Sequence, residues 1–163
     1  MERLLTSRNV DLGNRIRLLK CYVWSTLLYG CETWTVSKTM EARLQAAEMW
    51  FYLRMLKVSW VEKVSNAEVL RRAGVQQDLE LKIIHRQISF IGHVLRKGQL
   101  EEAALTGRIE GKQARGRQRG TLLGWLKRAT GFRPLDLIKM MKERREEEAV
   151  TAAYARVLAR HTD

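Results

Sequence analysis

A single proline, Pro134, stands in a chain of 163 residues. Strand-rich domains usually need many Gly, Pro and Asn turns, so this scarcity argues against a β-fold. Two cysteines, Cys21 and Cys31, are too few for a disulfide framework or a zinc set. Reduced thiols and an intracellular setting, nucleus or cytoplasm, are expected. The three histidines, His85, His93 and His161, lack partners at metal-ligand spacing, so neither a metal nor any other cofactor is expected. Aspartates occur only at 11, 78, 136 and 163, none beside another acid. A polymerase or nuclease using two metal ions needs converging carboxylates, and the sequence offers no such set. Glu2, Arg3, Thr6, Ser7 and Arg8 leave no apolar stretch for a signal peptide. The most apolar run, Leu18 to Tyr29, is interrupted by Lys20 and too short for a bilayer, so no membrane partner is expected.

What the chain has is hydrophobic residues at 45%, enough for a packed core, and 30 Lys plus Arg against 18 Asp plus Glu. The formal net charge of +12 points to a polyanion, nucleic acid before an anionic membrane surface.

Helical periodicity runs through most of the sequence. Ile16, Leu18, Leu19, Val23, Leu27 and Leu28 form a loose helical pattern that Gly30 can stop. Ser37 sits as an N-cap before a helix of about 39–56, whose apolar face reads Met40, Leu44, Ala47, Phe51 and Met55, widened by Trp50 and Leu53. Ser65 and Glu68 read as a capping box opening a short helix that Gly74 closes. Asp78 can cap the next helix, to about Lys97. At 100° per residue, Ile84, Ile88, Ile91 and Leu95 share one stripe there, while Lys82, Arg86, His93 and Lys97 share the opposite one. Beyond Pro134, Leu135, Ile138 and Met141 are spaced for a further helix face. An all-α fold of about five to seven helices follows.

Between residues 103 and 131 the texture changes: six of the eleven glycines fall there, with seven bases and one acid, Glu110. Composition thus divides the chain into a helical segment over 1–98, a Gly/Arg-rich loop with a short helix over 99–131, and a helical extension over 132–163. Arginines on a flexible backbone can neutralise phosphates and release counterions. The bland alternative is a solvated loop or a localisation signal. Trp24, Trp34, Trp50 and Trp60 lie in or beside apolar helical segments, where core packing explains them. Trp125, just after the arginine run, is the one placed to stack on a base. Cys21 and Cys31 read as inert structural thiols. Glu146, Glu147 and Glu148, beside Arg144 and Arg145, read as a solvated helix face. His93 is read as a core imidazole or a phosphate contact.

An ordered set of blocks carries a resemblance. It runs Ser7-Arg8-Asn9-Val10-Asp11, Lys20-Cys21-Tyr22-Val23-Trp24, and Leu28-Tyr29-Gly30-Cys31-Glu32-Thr33-Trp34. Glu48-Met49-Trp50, Arg54-Met55-Leu56 with Ser59-Trp60, Gly92-His93-Val94-Leu95-Arg96 and Gly116-Arg117-Gln118-Arg119 continue it. Together they resemble the C-terminal part of reverse transcriptases from non-LTR retrotransposons of the RTE/BovB and related types, over about Ser7 to Arg144. In that family the palm and its catalytic aspartates lie upstream, so the resemblance implies the thumb and post-palm region, which holds template-primer or element RNA without the chemistry. Two stretches depart from the family: Gly120 to Leu126 is less polar, and Glu143 to Glu148 lacks the family's Trp-Arg pair. A truncated element copy and a segment adopted by a host remain equal alternatives.

The sequence therefore leads to a non-catalytic nucleic-acid-binding module. The contacts are assigned to Lys82, Arg86, His93, Arg96 and Lys97 on the helical ridge and to Arg108, Lys112, Arg115, Arg117 and Arg119 in the loop. The partner is RNA, DNA or an RNA–DNA hybrid, with a polymerase palm domain as a further partner. A chain that assists polymerisation beside such a palm, and a helical protein-interaction module, are the competing readings.

Overall fold

Ile16, Leu19, Trp24 and Leu28 are all buried, at steps of three, five and four residues. A continuous α-helix cannot put all four on one face, because a five-residue step overshoots the stripe. In the computed structural model, which describes residues 2–7, 9–98, 100–106 and 120–143, a wider turn takes that step. Helix α2 (Leu12–Leu18) leads into a π-helical turn, Leu19–Val23, and then α3 (Trp24–Leu27), with the Trp24 N–H donating to the Leu19 carbonyl five residues back.

The described residues are all-α, with no strand. Besides α2 and α3 they hold α1 (Glu2–Leu5), α4 (Lys38–Leu56), α5 (Asn66–Ala73), α6 (Leu79–Lys97), α7 (Leu100–Thr106), α8 (Leu122–Thr130) and α9 (Pro134–Lys142). The count of nine exceeds the expected five to seven because α1 and α3 are four-residue turns and α7 occupies the start of the segment read as a loop. No helix among the described residues is long and apolar enough to cross a membrane. The expected features beyond Glu143, with the loop over 107–119, lie outside the described residues.

Packing forms two compact units, neither continuous in sequence, whereas composition divides the chain at 98 and 131. Among the described residues, the first holds those up to Gly30 with Lys38–Glu80; the second holds Cys31–Ser37 with those from Leu81 to Glu143.

In the first unit α4 buries Leu44, Glu48, Met49, Tyr52 and Met55. This face is turned from the expected one: Met40, Ala47 and Phe51 are only half-buried, and Trp50 is 52% exposed. The cause is Glu48, a carboxylate that reads as surface yet is 1% exposed. Its Oε1 accepts from the Asp78 N–H at 2.9 Å and from the Tyr52 hydroxyl at 3.3 Å, and its Oε2 from the Leu79 N–H at 3.4 Å. Glu48 thereby satisfies backbone donors that α6 leaves open at its start. The Asp78 carboxylate meets Lys20 Nζ at 2.8 Å. Arg15 Nη1 donates to the Met55 carbonyl at 2.8 Å and the Leu5 carbonyl at 3.3 Å, placing a cation at the last turn of α4.

Helices α4 and α5 end in the same motif. After α5, Gly74 N–H donates to the Arg71 carbonyl and Val75 N–H to Leu70, with Gly74 at φ +65°. After α4, Lys57 N–H donates to Arg54 and Val58 N–H to Leu53, with Lys57 at φ +57°. Both are the paired closing bonds of a Schellman end, where glycine is the usual residue. At the start of α5 the Ser65 hydroxyl accepts from the Glu68 N–H at 3.3 Å, but only this half of the expected capping box forms. The Glu68 carboxylate turns instead to Arg71 and Arg72.

In the second unit the α6 stripe Ile84, Ile88, Ile91 and Leu95 is buried as the periodicity requires. Gln87, fully buried within it, donates through Nε2 to the carbonyls of Cys31 at 2.8 Å and Trp34 at 2.9 Å. Arg128 Nη2 donates to the Val36 carbonyl at 2.7 Å, so two side chains hold the short irregular segment in place. Helix α8 is capped by the Thr121 hydroxyl, accepting from the Gly124 N–H at 3.1 Å, and packs on α9. Pro134 opens α9, where a missing N–H costs nothing. Its buried residues are Leu137 and Met141; Leu135, expected on the inner face, is 73% exposed.

Candidate nucleic-acid interface

The outer side of α6 carries the residues assigned to the ridge. Lys82 and Arg86 are half-buried, while His93, Arg96 and Lys97 are exposed, together with His85, Ser89 and Phe90. Two of the five are also structural ties. Arg96 Nη1 donates to the Met141 carbonyl at 3.0 Å, at the end of α9, and Arg86 Nη1 lies 3.9 Å from Glu32 Oε1. Arg86 also bonds the Cys31 thiol; burial, reinforced by Glu32, still pushes that thiol up. His93, read as either a core imidazole or a phosphate contact, faces solvent. The five loop positions, Arg108, Lys112, Arg115, Arg117 and Arg119, lie outside the described residues.

Two tryptophans exchange their expected roles. Trp125 is 1% exposed, and its Nε1–H donates to Gln87 Oε1 at 2.8 Å. A buried indole whose one donor is paired cannot stack on a base, so that assignment is corrected. Trp24 is buried and Trp34 half-buried. Trp50, assigned to the core, is exposed. The Arg54 guanidinium lies 5.4 Å over its ring, and Phe51 meets it edge-on at 5.1 Å. The four-residue spacing places Trp50 and Arg54 on one helix face.

Trp50 and Arg54 open onto a groove of about 990 Å³ in the first unit, between the end of α4 and the start of α5. Lys57, Val61, Lys63 and Asn66 line it further, and among the described residues no acidic side chain does. Its chemistry is cationic and aromatic. By contrast, no group of three or more His, Cys, Asp or Glu side chains among the described residues could hold a metal ion.

No protein-family model, curated protein or solved structure matches the chain.

Proposed function

We propose that the chain is a non-catalytic nucleic-acid-binding module, thumb-like in the sense of the retrotransposon reverse transcriptases its sequence blocks resemble. The observation that carries this is the sidedness of α6. A fully buried isoleucine stripe fixes the helix, and the cations and the imidazole of Lys82, Arg86, His93, Arg96 and Lys97 occupy the other side. A rigid row of cations on a chain of net charge +12 suits regularly spaced phosphates. Arg108, Lys112, Arg115, Arg117 and Arg119 would add phosphate contacts, and the ligand class is template-primer duplex or element RNA in the nucleus or cytoplasm.

The test is binding of an RNA hairpin, a DNA duplex and an RNA–DNA hybrid across a salt series. Wild type is compared with a variant carrying Arg115, Arg117 and Arg119 as glutamine, and with Lys82→Gln/Lys97→Gln. The reading expects affinity that falls steeply with salt and a shallower slope in both variants. Affinity independent of salt overturns it.

A second reading, a helical protein-interaction module with a polymerase palm as one partner, draws on exposed apolar residues of the first unit. Leu4, Tyr22 and Tyr29 are 50%, 59% and 86% exposed. It expects the glutamine variants to bind nucleic acid as wild type does.

A further inference from the structure

Among the described residues, four glycines have a positive φ: Gly30, Gly74, Gly98 and Gly131. Only two other residues share that conformation, Lys57 at φ +57° and Lys63 at φ +47°, and both line the groove beside Trp50. A side chain with a Cβ is strained there, and such strain persists only where the surroundings impose it and often marks functional surfaces. At Lys57 the comparison lies within the molecule, since the matching position after α5 is glycine. Closing the α4 end therefore does not require a lysine. A cation near a helix C-terminus is favourable, which accounts for part of Lys57; Lys63 follows a three-residue 3-10 turn, Trp60–Glu62, and has no such role.

We infer that this groove binds an unpaired nucleotide segment of a single strand, with a base stacked on Trp50 and flanking phosphates met by Arg54, Lys57 and Lys63. The inference rests on the nucleic-acid reading above and adds to it a second, single-strand-selective contact. The occupant is chosen by complementarity. A half-exposed indole offers a stacking surface to any base, the Arg54 guanidinium over one side of the ring adds a cationic plane, and three cations with no carboxylate among the described lining residues favour a polyanion over a peptide. A duplex, whose bases are already stacked, presents only phosphates to the groove and gains nothing from the indole.

The test uses the full chain with a labelled ten-nucleotide oligothymidylate and, separately, a blunt DNA duplex. Trp50→Ala is expected to weaken single-strand binding roughly tenfold and leave duplex binding unchanged, with Trp50→Phe recovering most of the loss. Lys57→Gly and Lys63→Gly are each expected to lower the salt slope for the single strand by about one phosphate contact, while thermal unfolding confirms intact folding. Unchanged oligothymidylate affinity in Trp50→Ala, with duplex binding intact, overturns the groove and leaves the α6 reading standing. Equal losses for both ligands overturn the single-strand selectivity. Wild type that binds neither ligand overturns both readings together.

Discussion

The indole of Trp125 and the amide of Gln87, 38 residues apart, meet in a 2.8 Å hydrogen bond where neither side chain reaches solvent. With both Nε2 protons given to the Cys31 and Trp34 carbonyls, the Gln87 amide joins α6, α8 and the irregular segment of the second unit. A buried polar group stabilises only when its partners are complete, and here one side chain completes two backbone carbonyls and one indole N–H.

Gln87→Leu should therefore be among the most damaging single changes in the second unit. It leaves two carbonyls and one indole N–H without this partner, and a loss of about 2–5 kcal/mol is expected. Trp125→Phe removes one bond and packing area, at about 1–3 kcal/mol. Urea unfolding of both variants and their double mutant should give losses that fall well short of additive.

Glu48 predicts an unusual pH dependence. Burial, the largest influence, raises its carboxyl from 4.5 to about 7, against the pull of the Asp78 and Leu79 N–H groups. Between those values the folded chain holds more protons than the unfolded chain. This contribution is thus fully present below pH 4.5 and is lost as pH rises through about 7, by a few kcal/mol. Glu68 acts with the opposite sign: Arg71 and Arg72 lower it to about 2, so its contribution is present above pH 4.5 and lost as pH falls through about 2. Urea midpoints measured from pH 4.5 to 8 should decline in wild type and flatten in Glu48→Gln.

Arg96 and Lys97 should separate structure from binding although they are neighbours. Arg96→Ala removes the bond to the Met141 carbonyl, and about 1 kcal/mol of stability should go with it. Lys97→Ala, at an exposed position, should leave the melting temperature within a degree or two and reduce the salt slope of duplex binding. Thermal melts and salt titrations on the same preparations decide both.

The twin helix ends supply a matched pair. A Cβ added at Gly74 meets nothing within 4 Å, so the expected cost of Gly74→Ala, about 1 kcal/mol, is conformational. Lys57→Gly makes the reverse change and should raise stability by up to about 1 kcal/mol, offset in part by the greater freedom of glycine in the unfolded chain. Chemical denaturation of the two variants should move in opposite directions.

How legible all this was depended on the residue type. The period-3.6 stripe of α6 was readable because Ile84, Ile88, Ile91 and Leu95 are apolar and buried, so pattern and burial coincide. In α4 they part company: a carboxylate, Glu48, turns inward because its acceptors meet backbone donors at the start of α6, and that partner lies 30 residues away. The whole face turns with it, which put Trp50 on the wrong side in the sequence reading. Trp125 failed for the related reason that its environment is set by Gln87, a residue that reads as surface. Of the proposed phosphate contacts, the α6 ridge was foreseeable from spacing, whereas the Trp50 groove depends on two left-handed lysines that no composition signals.

The π-turn at Leu19–Val23 bears on the history of this sequence. One residue more than an α-helical turn accommodates is held there, and that surplus lets Leu19 and Trp24 share a side. Removing one residue of the turn would shorten the step from Leu19 to Trp24 to four residues, yielding a smoother helix that keeps Trp24 and Leu28 on about the side they now fill. In a comparison with a more distant sequence, a single-residue gap at this place would therefore mark the loss of the wide turn, with the same pair of side chains still facing inward downstream.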